Sequence, residues 1–102
     1  MMKVIMAVPG EKVKEQSVPG GMASIKALVG GSLECIQLGN GFILYGNSEG
    51  NQQDLPVNPH FAQGIVKGNF VIARKGEEGE SMGLCDDDIR FVKTTFIRSQ
   101  QE

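Results

Sequence analysis

A chain of 102 residues is long enough for one small domain and too short for two. Hydrophobic residues make up 40% of it and charged residues 22%, which fits a folded domain with little stability in reserve. Ten basic against twelve acidic residues leave a net charge of −2, without the basic surplus of nonspecific DNA binding and far short of the acid that a DNA mimic carries.

Lys3 to Val8 is a short apolar run stopped by Pro9-Gly10, the pattern of a buried strand. It is too short for a signal peptide, and nothing along the chain approaches a membrane span, so a soluble, cytoplasmic protein is expected. Lys12 to Val18 is polar except for Val13 and Val18 and reads as a wet edge strand antiparallel to the first. After Pro19-Gly20-Gly21, apolar residues at Met22, Ile25, Leu28 and Val29 have helical spacing, and Gly30-Gly31 supplies the helix C-cap. A nucleotide fingerprint places its glycines before a helix, and these come after one.

Leu33–Leu38 and Phe42–Tyr45 flank Gly39-Asn40-Gly41 and read as a hairpin with a bulged turn. Gly46 to Gly50 reads as a second turn, followed by the polar stretch 51–54 and by Leu55-Pro-Val-Asn-Pro59, which the two prolines hold extended or turning. Ile65-Val66 and Phe70–Ala73 read as strand, Arg74 to Glu80 as a charged hairpin turn, and Met82–Leu84 as a short return strand.

Residues 85–99 carry two signals. Phe91, Val92 and Thr94 to Ile97 favour strand by propensity, whereas Ile89, Val92 and Phe96 share one helical face and Asp86–Asp88 suit a helix N-terminus. The reading adopted is a helix from about Asp86, with Cys85 as a poor N-cap and a staple between Leu84 and Ile89. The predicted fold is therefore one α+β domain over residues 1–102. A bent antiparallel sheet packs with one short helix and a C-terminal helix, and the tail at 99–102 is frayed. The predicted core is Val4, Met6, Val8, Ile25, Leu28, Ile36, Leu44, Val71, Ile89, Val92 and Phe96.

Little in the sequence carries catalysis. His60 is the only histidine, Cys35 and Cys85 stand far apart as reduced thiols, and neither acidic run has the alternation of a calcium loop. Ser24, Ser32 and Ser81 lack a nucleophile elbow. No enzyme activity, metal or cofactor is expected. Lys67, Arg74 and Lys75, or Arg90, Lys93 and Arg98, are possible basic patches, although scattered charge is the ordinary covering of a domain.

Several stretches taken together resemble a known family: the first strand with Pro9-Gly10, Leu28 to Glu34, Leu38 with Gly41, and Asn47 to Gly50. Leu55-Pro56 with Asn58, Ile65 with Gly68, Phe70-Val71, and Leu84 with the acidic turn and Ile89 continue the likeness. The chain resembles the small family called domain of unknown function thirty-eight forty-six over nearly its whole length. Members of that family occur in phages and mobile elements of bacteria and in some bacterial genomes, so the resemblance implies an accessory protein rather than a metabolic enzyme. It also implies a helix at Cys85, where relatives tend to carry a threonine cap and this chain does not.

An accessory protein of this kind is expected to act by binding. One expectation is a sponge for a small nucleotide-type signalling molecule on which host defence depends, which needs a shaped pocket, polar donors and one or two cations. The other is an inhibitor that blocks a host protein; a homo-oligomer is compatible with either. The expected site is the long segment from Asn47 to Asn58, with Asn47, Pro56 and Asn58 reading the ligand and Lys67 and Arg74 balancing phosphate charge. Turn chemistry accounts for the asparagines equally well. Replacing Asn47 and Asn58 by alanine is expected to abolish binding with little loss of stability.

Overall fold

Strand-forming runs separated by glycine and proline turns become a single antiparallel sheet in the computed structural model, which describes residues 2–49, 54–78 and 81–98. Its strands are β1 (Met2–Ala7), β2 (Lys14–Val18), β3 (Leu33–Gly39), β4 (Phe42–Asn47), β5 (Phe70–Lys75) and β6 (Ser81–Met82). Spatial order is β2-β1-β5-β4-β3. The short β6 pairs with Arg74 and Lys75, on the same side of β5 that β1 pairs through Phe70–Ile72. Two helices complete the chain, α1 (Met22–Val29) and α2 (Asp86–Thr95).

Alternation along the central strands divides two cores. Val4 and Met6 of β1, Ile43 and Tyr45 of β4, and Val71 and Ala73 of β5 pack with Ile25 and Val29 of α1. Ile5, Phe42, Leu44, Phe70 and Ile72 point the other way, onto Ile89 and Val92 of α2 and onto Phe61, Val66, Phe96 and Ile97. Both faces of β1, β5 and β4 are thus covered, which is why these runs are almost continuously apolar.

The predicted α1 matches the observed bounds, and Gly30 closes it by donating its N–H to Lys26 O at 2.8 Å. The β3–β4 hairpin turns at Gly39, Asn40 and Gly41, all three with positive φ, and the register shifts between Gln37 and Gly39 as a bulge. α2 starts at Asp86 as expected: Asp88 Oδ2 accepts the Cys85 N–H at 3.1 Å, and Leu84 and Ile89 enter the same core cluster. Helical amphipathicity outweighed strand propensity here because a helix buries Ile89, Val92 and Phe96 together.

Several expectations change: Val8 and Leu28 are only partly buried beside the core under α1, and the return strand is Ser81–Met82, with Leu84 outside it. Ile36 is not core but 36% exposed, because β3 is the outer strand of its hairpin and only β4 goes on to pair with β5. Gly46 belongs to β4, opposite Glu34, so the second turn begins later; Gly50 lies outside the described residues. Ile65-Val66 forms no strand: the segment is clasped to Pro56–Asn58 by one bridge between Val57 and Lys67, with Gly68 N–H donating to Pro56 O. The tail at 99–102 and residues 79–80 also lie outside the described residues.

The two edges of the sheet differ. β2 presents Lys14 and Glu15, whereas β3 presents Cys35, Ile36 and Gln37 exposed with Glu34 as its sole charge. Charged side chains discourage edge pairing and β3 has few of them.

Arg74 of β5 joins α2 to the sheet. Its Nε and Nη2 donate to the two carboxylate oxygens of Asp88, at 3.1 and 2.5 Å, and its guanidinium lies 4.9 Å from the Phe42 ring centroid. The bond from Arg74 holds the Asp88 carboxyl down from 3.8 to about 2, with the Cys85 N–H assisting and burial opposing. A carboxyl depressed on folding adds stability that is complete above its unfolded pKa and is lost as pH falls through the folded one. Replacing Asp88 by asparagine is therefore expected to cost about 1–2 kcal/mol near neutral pH. In urea unfolding at stepped pH, the gap to the parent should narrow below about pH 4 and close near the folded value of about 2.

Candidate functional site

The end of the sheet where β4 finishes and β5 begins gathers most of the predicted site. Asn47 is the last residue of β4 and is only 7% exposed. Its Oδ1 accepts the Glu49 N–H at 2.8 Å, an Asx turn that carries the chain out of the strand. Ser48 N–H donates to Ser32 O at 2.9 Å, fastening this turn to the segment after α1. A side chain at Gly31 would meet Asn47 Nδ2 at 2.9 Å, so glycine is what lets the loop lie against the amide.

Two depressions share Asn47 as a wall. One, of about 190 Å³, lies beside β3 and β4 and includes Glu34, Ile36, Ile65 and Lys67. The other, of about 290 Å³, lies at the C-terminal end of α1 and includes Val29, Leu55, Pro56 and Asn69. Among the described residues nothing accepts a hydrogen bond from Asn47 Nδ2. The amide thus holds the turn with its oxygen and offers its N–H groups to this junction.

Of the predicted residues, the structure brings Asn47, Pro56 and Lys67 to these depressions. Asn58 and Arg74 go elsewhere. Asn58 is 2% exposed, and its Nδ2 donates to Ala7 O at 3.2 Å and Gly68 O at 2.9 Å. Its Oδ1 accepts the His60 N–H at 3.0 Å, and its own N–H donates to Val66 O at 2.7 Å. This amide stands in for strand pairing and ties the irregular segment to β1. Arg74 sits toward the opposite end of β5, engaged by Asp88.

The two groups of basic residues are interspersed with acids, as ordinary surface charge would be: Arg74 pairs with Asp88, Arg90 with Asp87 and Lys93 with Glu15. Lys67 has no acidic partner within ion-pair distance among the described residues. Sequence reasoning missed Glu34 and Ile65 as neighbours of the site. Asn69 was legible as a polar residue at the foot of a strand, but its bond to Leu28 O at 3.1 Å depends on how α1 packs.

The profile of the family described as domain of unknown function (DUF3846) matches residues 2–97. The chain belongs to that family. No curated protein and no solved structure matches it. The match runs from β1 through α2, so every residue of the junction at Asn47 falls inside the family's domain. Among the described residues no helix is long and apolar enough to cross a membrane.

The two asparagines should separate cleanly in stability measurements. Asn58→Ala leaves buried carbonyls of Ala7 and Gly68 without their donor, with an expected loss of about 2–4 kcal/mol. Asn47→Ala removes one turn bond and is expected to cost about 1 kcal/mol. Urea unfolding of both variants checks the difference; equal losses would deny Asn58 its structural role.

Proposed function

We propose that this protein works by binding: it takes up and sequesters a small nucleotide-type molecule at the junction of the two depressions, and so serves a phage or mobile element as a counter-defence protein. The observation that carries this is Asn47, a residue 7% exposed that borders both depressions and whose side-chain nitrogen is unengaged among the described residues. A donor open to solvent at a concave surface, with no partner among the described residues, is a group that a polar ligand can engage. Lys67 stands on one side as a cation for phosphate, and the apolar walls on the other side suit a ring. The mobile-element setting that the sequence resemblance implies supports the counter-defence part of the proposal.

A host protein is the second candidate partner, favoured by the β3 edge. Ile36 is 36% and Ile65 80% exposed, and both border the same depression beside a strand with one charged residue. An extended segment of a partner can add to such an edge through backbone hydrogen bonds. Ile36→Lys would block that addition without entering either core.

Thermal melting in the presence of mononucleotides, cyclic nucleotides and ADP-ribose-type compounds tests the first reading. A ligand at a hundred times its Kd adds about 2.7 kcal/mol, a rise of roughly 10 °C or more for a domain of this size. Lys67→Gln is expected to cut the affinity for phosphate-bearing ligands about tenfold. A melting temperature that no compound moves, joined with capture of a host protein that Ile36→Lys abolishes, would establish the second reading instead.

A further inference from the structure

The two depressions differ in a way that divides a ligand between them. The one beside β3 carries both charges, Glu34 and Lys67. Among the described residues, the one at the end of α1 is lined by no charged residue: Val29, Leu55 and Pro56 are among its apolar walls, and Asn47 and Asn69 supply polar side chains. Asn69 is held by its Nδ2, which donates to Leu28 O at 3.1 Å, and this orients the amide with Oδ1 as the remaining acceptor. Asn47 is held the opposite way, by Oδ1, with Nδ2 as the remaining donor. The depression is therefore bordered by two amides held in opposite senses, beside apolar walls.

The end of α1 sharpens the choice. Gly30 N–H covers Lys26 O, and Asn69 covers Leu28 O, while Val29 and Gly30 themselves border the depression. A helix C-terminus carries partial negative charge, so an anion is disfavoured there and a group with N–H donors is favoured. Phosphate is thereby directed to the Lys67 side.

Resting on the binding reading above, we infer that the depression at the end of α1 is a subsite for an uncharged, amide-edged ring of the nucleobase class. The ring presents an acceptor to Asn47 Nδ2 and a donor to Asn69 Oδ1. The anionic part of the same ligand crosses Asn47 to Lys67. This orders the ligand: the head enters beneath α1, and the charged end faces the β3 edge.

Calorimetric titration with the four common nucleosides, their 5′-monophosphates and inorganic phosphate tests the assignment on the full chain. The informative variant is Asn47→Asp, which keeps an oxygen for the Glu49 N–H and removes the donor. At least one nucleoside is expected to bind the parent. Its monophosphate should bind about tenfold tighter, and Lys67→Gln should remove that advantage while leaving the nucleoside's affinity unchanged. Asn47→Asp should weaken nucleoside and nucleotide alike by tenfold or more. On the parent protein, nucleoside should shift the side-chain amide resonances of Asn47 and Asn69, and inorganic phosphate alone should leave Asn69 in place. That second measurement decides the matter even if Asn47→Asp folds poorly. Monophosphate binding through Lys67 with no response at the two amides would overturn the subsite and leave the binding reading standing. Failure of every probe to bind the parent would overturn both.

Discussion

Three strands of this protein have no free face, and the rest of the architecture answers that constraint. β1, β5 and β4 bury side chains toward α1 on one side and toward α2 on the other. A small domain removes from water a smaller share of its surface than a large one. A double-sided sheet is one way to raise that share within 102 residues. The segment from Leu55 to Val66 follows from the same need. α2 alone does not roof the second face, and Phe61 and Val66 fill it beside Phe96 and Ile97. Because that segment lacks a strand of its own, its backbone requires partners, and the Asn58 amide supplies them.

Much of this was legible in the residues. The spacing of Ile25, Leu28 and Val29 identified α1, Gly39-Asn40-Gly41 identified the hairpin, and Asp86–Asp88 marked the start of α2. Local signals sufficed where the cause is local. They failed where position in the sheet decides. Leu33–Leu38 and Phe42–Tyr45 are comparably apolar, and only the pairing of β4 with β5 makes one strand central and leaves Ile36 at the rim. The paired prolines announced an irregular segment but not that it would close over a core.

The asparagines show the same limit at the site. Asn47 and Asn58 both stand beside turns in the sequence, and nothing local distinguishes them. In the fold, Asn58 points inward and is fully engaged, whereas Asn47 ends a central strand and keeps its nitrogen for the junction. Arg74 carries the same lesson for charge. A cation seven residues along the chain from Lys67 stands at the other end of β5 and is engaged there by the carboxylate of Asp88. Tyr45 is a further instance: its position is set by the core, and its buried hydroxyl meets Ser81 of β6.

The unlike edges of the sheet bear on how this protein grows into anything larger. A strand added to β3 extends the sheet in that direction only, since β2 at the far side is studded with Lys14 and Glu15. If the added strand is β3 of a second copy, the two bare edges consume one another and both outer margins become β2. Such an assembly is closed at two members by symmetry, with a charged strand at each outer margin. The asymmetry of the margins is thus a form of valence: the sheet has one place to join and a stop at the other end.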